Sequence, residues 1–214
     1  MDYIVANFDR ILGITQRHLE ICGLSLLFAI GLGIPLGIIA TRIQLLQPLI
    51  LGGVALIYTV PTLAMFGLMI PFFGLGLVPA VTAVTLYSLL PVVQNTYTGI
   101  INVPPPAREA ALGLGMSSTQ LLWRVELPLS LVVLSGGIRL AVVNAIGIGT
   151  LASLIGAGGL GDLIFRGIST VSPTVVLAGS IPVVLMALAA DFGLKLLERT
   201  MTRRLGLTGA EAGN

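Results

Sequence analysis

The segment that decides the fold is residues 43–107, IQLLQPLILGGVALIYTVPTLAMFGLMIPFFGLGLVPAVTAVTLYSLLPVVQNTYTGIINVPPPA, which contains no Asp, Glu, Lys or Arg. About 20 apolar residues of α-helix cross a bilayer core of about 30 Å, so this segment is too long for one membrane span. Its natural break is PFFGLG at 71–76, followed by Pro79. We therefore predict two membrane helices here, at about 47–71 and 77–101.

Apolar stretches on both sides of this segment predict three further spans, at about 20–42, 129–155 and 173–197. The 214 residues are 56% apolar and only 9% charged, whereas soluble domains carry about 25% charged residues. The sequence thus predicts an all-α integral membrane protein of the cell membrane. We expect its 214 residues to form one transmembrane domain with five membrane helices.

The distribution of basic residues predicts the orientation, because cytoplasmic loops carry an excess of Lys and Arg. With five alternating spans, one side collects eight basic residues: Arg42, Arg108, Arg124, Arg139, Lys195, Arg199, Arg203 and Arg204. The other side collects three: Arg10, Arg17 and Arg166. We therefore expect the loop at 102–128 and the C-terminus in the cytoplasm, and the N-terminus outside.

The two ends of the chain differ from the spans. Residues 1–19 place apolar side chains at helical spacing, which predicts an amphipathic helix on the outer membrane surface; a solvated lead-in turn is the alternative. They lack the basic start of a cleaved signal peptide. Residues 205–214 are small and polar, and we expect a flexible tail.

Several functions are excluded by composition. The net charge of +2 is too small for a nucleic-acid partner. One cysteine (Cys22) and one histidine (His18) cannot form a disulfide within the chain or a Cys/His metal cluster. The pattern GAGGLG at 156–161 matches a dinucleotide-binding loop, but a membrane helix precedes it where that loop needs a strand. We instead predict a glycine-rich outer turn and then a short helix, with Asp162 and Arg166 paired.

Polar and aromatic residues inside the predicted spans are candidates for lining a solute path. An unpaired polar group is costly in a membrane, and aromatic faces attract quaternary ammonium groups. The alternative is that the tyrosines are interfacial anchors and the amides bond neighbouring helices. The candidates are Tyr58, Tyr87, Asn95, Tyr97, Arg139 and Asn144. Pro61 and Pro91 are expected to kink the second and third spans.

The polar segment 102–128 predicts two short helices joined by a glycine turn. Three prolines at 104–106 stop the third span and open a helix. Strong helix formers follow as Arg108-Glu109-Ala110-Ala111-Leu112, before Gly113 and Gly115. Ser117 and Gln120 have the spacing of a capping box, so a second helix should begin at about Ser118. It is expected to continue through Trp123 and to close at Leu127-Pro128.

This segment resembles the EAA loop of binding-protein-dependent ABC importer permeases. In that family Glu-Ala-Ala is followed by three residues, a glycine, nine residues and Ile-x-Leu-Pro. Here Glu109-Ala110-Ala111 is followed at the same spacing by Gly115 and by VELP at 125–128, with Val125 as the one departure. The resemblance implies that the loop couples the permease to an ATPase subunit. Its coupling residues would be Arg108, Glu109, Ala110, Ala111, Gly115, Trp123, Leu127 and Pro128.

The resemblance extends over about residues 18–200 and narrows to osmoprotectant permeases, which carry glycine betaine, carnitine or choline. The stretches ATR at 40–42, PVVQNTYTGI at 91–100 and IGAGGLGD at 155–162 carry it. Methionine-type amino-acid permeases are the alternative; they share the glycine-rich turn but lack the NTYTG run.

The resemblance also implies the partners: two ABC ATPase subunits, an external solute-binding protein and a second permease chain, identical or similar. ATP and Mg would be bound by the ATPase, and no cofactor by this chain. The single lysine, Lys195, lies in no P-loop, so ATP hydrolysis is not expected here. A secondary transporter or channel is a remote alternative, because the five spans form no paired repeat and their interiors lack acidic residues.

Overall fold

The computed structural model describes residues 7–204, which form helices and connecting turns without a strand. The α-helices are α1 (Phe8–Arg42), α2 (Gln47–Thr59), α3 (Thr62–Phe73), α4 (Leu77–Ile101), α5 (Pro105–Gly113), α6 (Ser118–Leu121), α7 (Leu127–Gly149), α8 (Gly161–Ser169) and α9 (Pro173–Arg204). A π-helix (Leu122–Glu126) joins α6 to α7, and a 3-10 helix (Thr150–Ile155) follows α7. Residues 1–6 of the predicted lead-in and the predicted tail at 205–214 lie outside the described residues.

Four of the helices are long and apolar enough to cross a membrane, and the bent pair α2 and α3 makes a fifth if it counts as one span. The prediction of an all-α membrane protein with five spans is thereby confirmed. Helix α4 is the central element, since most of its length is buried between α1, α7 and the α2–α3 pair.

The second predicted span, 47–71, differs from the continuous kinked helix that we expected. It breaks between Thr59 and Thr62, and the two halves meet at 102°. The cause is Pro61, which disfavours helical backbone at the residue before it; Val60 accordingly has φ −63° and ψ 130°. Pro91, in contrast, lies inside a single helix, α4.

The predicted separate helix over residues 1–19 is also different in the structure. From Phe8 onward the chain is one helix that continues through the first span to Arg42. Ile11 is buried against Leu163 and Ala178, so this part of α1 packs on its own chain. The apolar positions serve helix packing, which a helical spacing alone does not distinguish from binding to a membrane surface.

The fourth predicted span, 129–155, begins earlier than predicted and ends at Ile155 as predicted. The expected stop at Leu127-Pro128 is wrong, because the chain remains helical from Ser118 to Ile155. Pro128 is accommodated in the first turn of α7, directly after a π-helix in which Leu127 N–H donates to the Leu122 carbonyl. The wider π-turn relaxes the α-helical bonding pattern where proline has no N–H to give.

Small residues set the distance between the central helices. A Cβ at Gly33 would lie 2.7 Å from Val92 Cγ1, and a Cβ at Gly37 would lie 2.6 Å from Thr96 Cβ. These small residues of α1 therefore contact α4 directly, as small residues do in membrane bundles.

The bundle has two ends, which we name by the segments found there. The loop end holds residues 102–126 and the last residue of α1, Arg42, which pairs with Glu126. The turn end holds residues 156–160; there Arg17 Nε donates to the Ala157 carbonyl at 2.9 Å, and Gly76 N–H donates to the Ile155 carbonyl at 2.8 Å.

Candidate functional site

The loop end carries the two predicted short helices. Pro104 caps α5 and Pro105 begins it, as expected from the fixed φ of proline. Helix α5 ends at Gly113, and Gly115 has φ +78°, a left-handed conformation that glycine adopts without steric cost. The glycine turn between the helices is therefore confirmed.

The capping box predicted at the second helix is present. Gln120 N–H donates to Ser117 Oγ at 3.4 Å, and Ser117 N–H donates to Gln120 Oε1 at 2.9 Å. Two N–H groups that the first helical turn leaves unbonded are thus satisfied reciprocally, and α6 begins at Ser118 as expected.

The predicted coupling residues divide into an outward group and an inward group. Glu109 and Ala110 are exposed, and so are three large apolar side chains, Leu112 (53%), Leu114 (80%) and Trp123 (64%). Ala111 is buried, while Arg108, Leu127 and Pro128 are half-buried. Leu112, Leu114 and Trp123, with Glu109, are exposed side chains of the two loop helices and the segments next to them, and we call this set the loop surface; such a composition is typical of protein interfaces.

Arg108 of the inward group pairs with a residue that our sequence analysis missed. Glu126 is 1% exposed, yet it is a carboxylate. Arg42 Nη2 donates to its Oε2, and Arg108 Nε lies 3.3 Å from its Oε1. Arg108 also donates to the carbonyl of Ile100 near the end of α4. The one available signal was that Glu126 is the sole acidic residue between Glu109 and Asp162, directly before an apolar span.

A second polar cluster joins α7 to α9 toward the loop end. Arg139 Nη1 donates to Asp191 Oδ1 at 3.2 Å, and Arg139 Nε lies 3.5 Å from Glu198 Oε2. A cavity of about 400 Å³ lies beside them, lined also by Asn95, Leu140 and Val143. The structure therefore brings two of the predicted path residues, Asn95 and Arg139, to one cavity.

The remaining path candidates lie in other places. Tyr58 and Tyr87 contact each other near the bend between α2 and α3, where Tyr58 is 39% exposed and Tyr87 only 3%. Tyr97 and Asn144 are half-buried on α4 and α7. Asn95 donates from Nδ2 to the Pro91 carbonyl at 2.8 Å, which provides the partner that an amide inside a span requires.

The glycine-rich turn packs against α1 and resembles no nucleotide loop. Gly156, Gly158 and Gly159 all have positive φ, and a Cβ at Gly159 would lie 3.1 Å from His18 Nδ1. The buried His18 places Nε2 3.1 Å from the Ile146 carbonyl. A 3-10 helix precedes the turn, whereas a dinucleotide-binding loop would need a strand there. The predicted short helix after the turn is present as α8. Asp162 and Arg166 on α8 form no ion pair with each other.

Comparison with known proteins identifies relatives along the whole chain. The profile of the family described as "Binding-protein-dependent transport system inner membrane component" matches residues 33–203. The osmoprotectant import permease protein OsmW of Salmonella typhimurium is 43% identical, covering 94% of this chain and 95% of that protein. The carnitine transport permease protein OpuCB of Listeria monocytogenes is 40% identical over 100% of both chains. The choline transport system permease protein OpuBB of Bacillus subtilis is 38% identical over 94% and 93%.

Solved structures share the fold. The MetNI methionine ABC transporter in an inward-facing conformation aligns with a TM-score of 0.81 at 20% identity, covering 87% of this chain and 94% of that chain. An amino acid ABC transporter described with histidines aligns with a TM-score of 0.74 at 17% identity, covering 94% and 97%.

Proposed function

Since this chain belongs to the family of binding-protein-dependent transport system inner membrane components, we propose that it is the permease subunit of an ATP-driven importer for quaternary ammonium osmoprotectants such as glycine betaine, carnitine or choline. The observation that carries this proposal is identity of 38–43% along nearly the full length to permeases named for osmoprotectant, carnitine and choline transport. The methionine transporter shares the fold at only 20% identity.

The loop surface is the proposed seat of an ABC ATPase subunit. Its exposed Leu112, Leu114 and Trp123 offer an apolar anchor, and Glu109 adds charge. Exposed apolar clusters of this kind mark interaction sites. In this proposal the loop end faces the cytoplasm, ATP and Mg bind to the ATPase, and this chain performs no hydrolysis.

A second permease chain, identical or similar, completes the proposed path, and an external solute-binding protein delivers the solute at the turn end. Closure of two ATPases on ATP draws the two coupling loops together and opens the path outward. Hydrolysis and release then reverse the movement. This is an alternating-access cycle in which the ligand of each state shifts the equilibrium between two conformations.

The path residues that we propose differ in what they offer a solute. Tyr58 exposes part of its ring, and a quaternary ammonium group is attracted to such a face by about 0.5–2 kcal/mol. Asn95 and Arg139 at the cavity of about 400 Å³ offer an amide and a guanidinium to a carboxylate such as that of glycine betaine or carnitine. Tyr87, Tyr97 and Asn144, on α4 and α7, complete the set of proposed path residues.

The test is uptake by proteoliposomes that contain this chain with its ATPase and solute-binding protein. Labelled glycine betaine, carnitine, choline and methionine are compared, with ATP enclosed or with an ion gradient alone. We expect uptake of at least one quaternary ammonium solute that requires enclosed ATP. Uptake of methionine alone, or uptake driven by the gradient without ATP, would contradict the proposal.

A further inference from the structure

Three segments of the chain meet at the carboxylate of Glu126, and a fourth is bonded to this cluster through Arg108. Glu126 is the last residue of the π-helix that leads from α6 into α7. One of its oxygens accepts from Arg42, the last residue of α1, and the other faces Arg108 of α5 at 3.3 Å. Arg108 in turn donates to the carbonyl of Ile100 on α4. No other carboxylate in the described residues is as deeply buried.

We infer that Glu126 is a positioning residue for transport: it ties the coupling loop to the loop end of α1, so that movement of the loop also moves α1 together with α4, on which α1 packs. This inference rests on the proposed function, because it concerns how force from an ATPase on the loop surface reaches the solute path. Glu126 itself is too buried to touch the ATPase.

Because Glu126 is buried and its two arginines are partly exposed, the ion cluster depends on the carboxylate more than on either arginine. A buried carboxylate is stable only when charged and polar partners replace its water. Here both partners are arginines from other segments, at sequence distances of 84 and 18 residues. Arg42 and Arg108 keep 36% and 31% of their side-chain surface exposed, so each has water as an alternative and Glu126 has none. The carboxylate is therefore the member on which the cluster depends.

The packing of α1 on α4 determines what the tie moves. Gly33 contacts Val92 and Gly37 contacts Thr96 with no room for a further atom, so the loop-end halves of these helices move together. Covalent continuity already connects the loop to α4, which ends at Ile101, and to α7 through the π-helix. The ion cluster adds α1, which packs on α4, and α4 carries Asn95 of the proposed path.

The experiment compares Glu126→Gln with the parental complex, reconstituted with its ATPase and solute-binding protein. Assembly, ATP hydrolysis and solute uptake are measured on the same preparation. Gln keeps the size of Glu and removes its charge. We expect an assembled complex that hydrolyses ATP but whose uptake per ATP falls about fivefold or more, the lower range of ordinary coupling free energies. The matched control is Glu20→Gln, which removes the carboxylate of the exposed Arg17–Glu20 pair at the turn end and should leave the ratio unchanged.

A second variant tests the same ion cluster in case Glu126→Gln does not fold. Arg42→Gln leaves Glu126 with Arg108 and removes only the tie to α1; it should lower uptake per ATP, and Arg42→Lys should restore part of the loss. If the Glu126→Gln complex does not assemble, the uptake per ATP of the Arg42→Gln complex is the test. A parental ratio in an assembled Glu126→Gln complex, or in Arg42→Gln when the former fails to assemble, overturns the inference. Failure of the proposed function is distinguishable, since the parental complex itself would then show no ATP-dependent uptake.

Discussion

The ring of Tyr58 lies edge-on to the ring of Tyr87, with ring centroids 5.8 Å apart and ring planes inclined by 67°. Tyr87 also donates its hydroxyl to the carbonyl of Val60, the residue at which α2 stops before Pro61. One side chain of α4 thus contacts α2 and bonds the backbone of the bend. Because the helix stops here, the carbonyl of Val60 has lost its helical partner, and the hydroxyl of Tyr87 on α4 bonds it instead. Helix α4 thereby holds the 102° break in place.

Replacing Tyr87 by Phe should destabilise this bend. The variant keeps the ring contact with Tyr58 and removes the hydroxyl that bonds Val60. Hydrogen bonds between membrane helices contribute about 0.6 kcal/mol on average and up to about 1.7 kcal/mol, so we expect a small fall in the apparent Tm of the detergent-solubilised protein. Tyr97→Phe is the control on the same helix, and an equal fall in both variants would show that the Val60 bond contributes nothing.

Gly137→Ala should weaken the packing of α7 on α4 and displace Asn95. A Cβ at Gly137 would lie 2.6 Å from the Pro91 carbonyl oxygen and would meet the Asn95 side chain. Overpacking of this kind costs about 1–3 kcal/mol. Gly147→Ala on the same helix meets nothing within 4 Å and should be neutral. Thermal unfolding and uptake measure both effects; equal stability of the two variants would disprove the close approach.

In the coupling loop, the two glycines on either side of Leu114 should respond oppositely to alanine. Gly115 has φ +78°, where a side chain costs about 1–2 kcal/mol, whereas Gly113 is helical with open space around it and gains helix propensity. We expect Gly115→Ala, but not Gly113→Ala, to reduce recovery of the ATPase with the permease in mild detergent.

Glu109→Lys should reduce uptake. Normal recovery and uptake in Gly115→Ala and Glu109→Lys would remove the coupling assignment.

Arg139→Gln should destabilise the contact between α7 and α9, because Asp191 and Glu198 would lose their shared cation. Breaking an exposed pair costs up to about 1 kcal/mol and breaking a buried pair about 3–5 kcal/mol; with Asp191 46% exposed, we expect a loss nearer the first value. Arg199→Gln on α9, where the side chain is exposed, is the control. Apparent Tm distinguishes them, and equal values would show that the cluster is not structural.

Thiol labelling tests the orientation. In a Cys22→Ala background, cysteine at Ser169 should react with a membrane-impermeant reagent from outside intact cells. Cysteine at Thr119 should react only after the cells are opened. Both positions are exposed in the chain, so the membrane is the only barrier. The reverse labelling pattern would place the loop end outside.

Local signals in the sequence were sufficient wherever a residue's effect is confined to its neighbours. The capping box at Ser117 and Gln120, the helix start at Pro105 and the turn at Gly115 depend on backbone groups within a few residues. They were predicted correctly for that reason.

Features that depend on distant partners were not predictable. The burial of Glu126 follows from Arg42, which is 84 residues away in sequence. The bend at Pro61 is far sharper than proline alone requires, since Pro91 leaves α4 unbroken. The contact with Tyr87 is one of those that distinguish the chain at Pro61 from the chain at Pro91. Likewise, Asn95 and Arg139 were each identified singly, but only the packing of α4 on α7 brings them to one cavity.

The π-helix between Leu122 and Glu126 determines how the loop is aligned with the membrane span. A π-turn contains one residue more than an α-turn requires, and each residue of an α-helix rotates the chain by about 100°. Removing one residue from this stretch would convert the π-turn to an α-turn. The alignment of α6 with α7 would then be preserved, but Glu126 would lose its position. Adding or removing a residue elsewhere in α6 would instead rotate the loop surface around the axis of α7. In alignments of related chains, length changes on the two sides of Glu126 are therefore not equivalent.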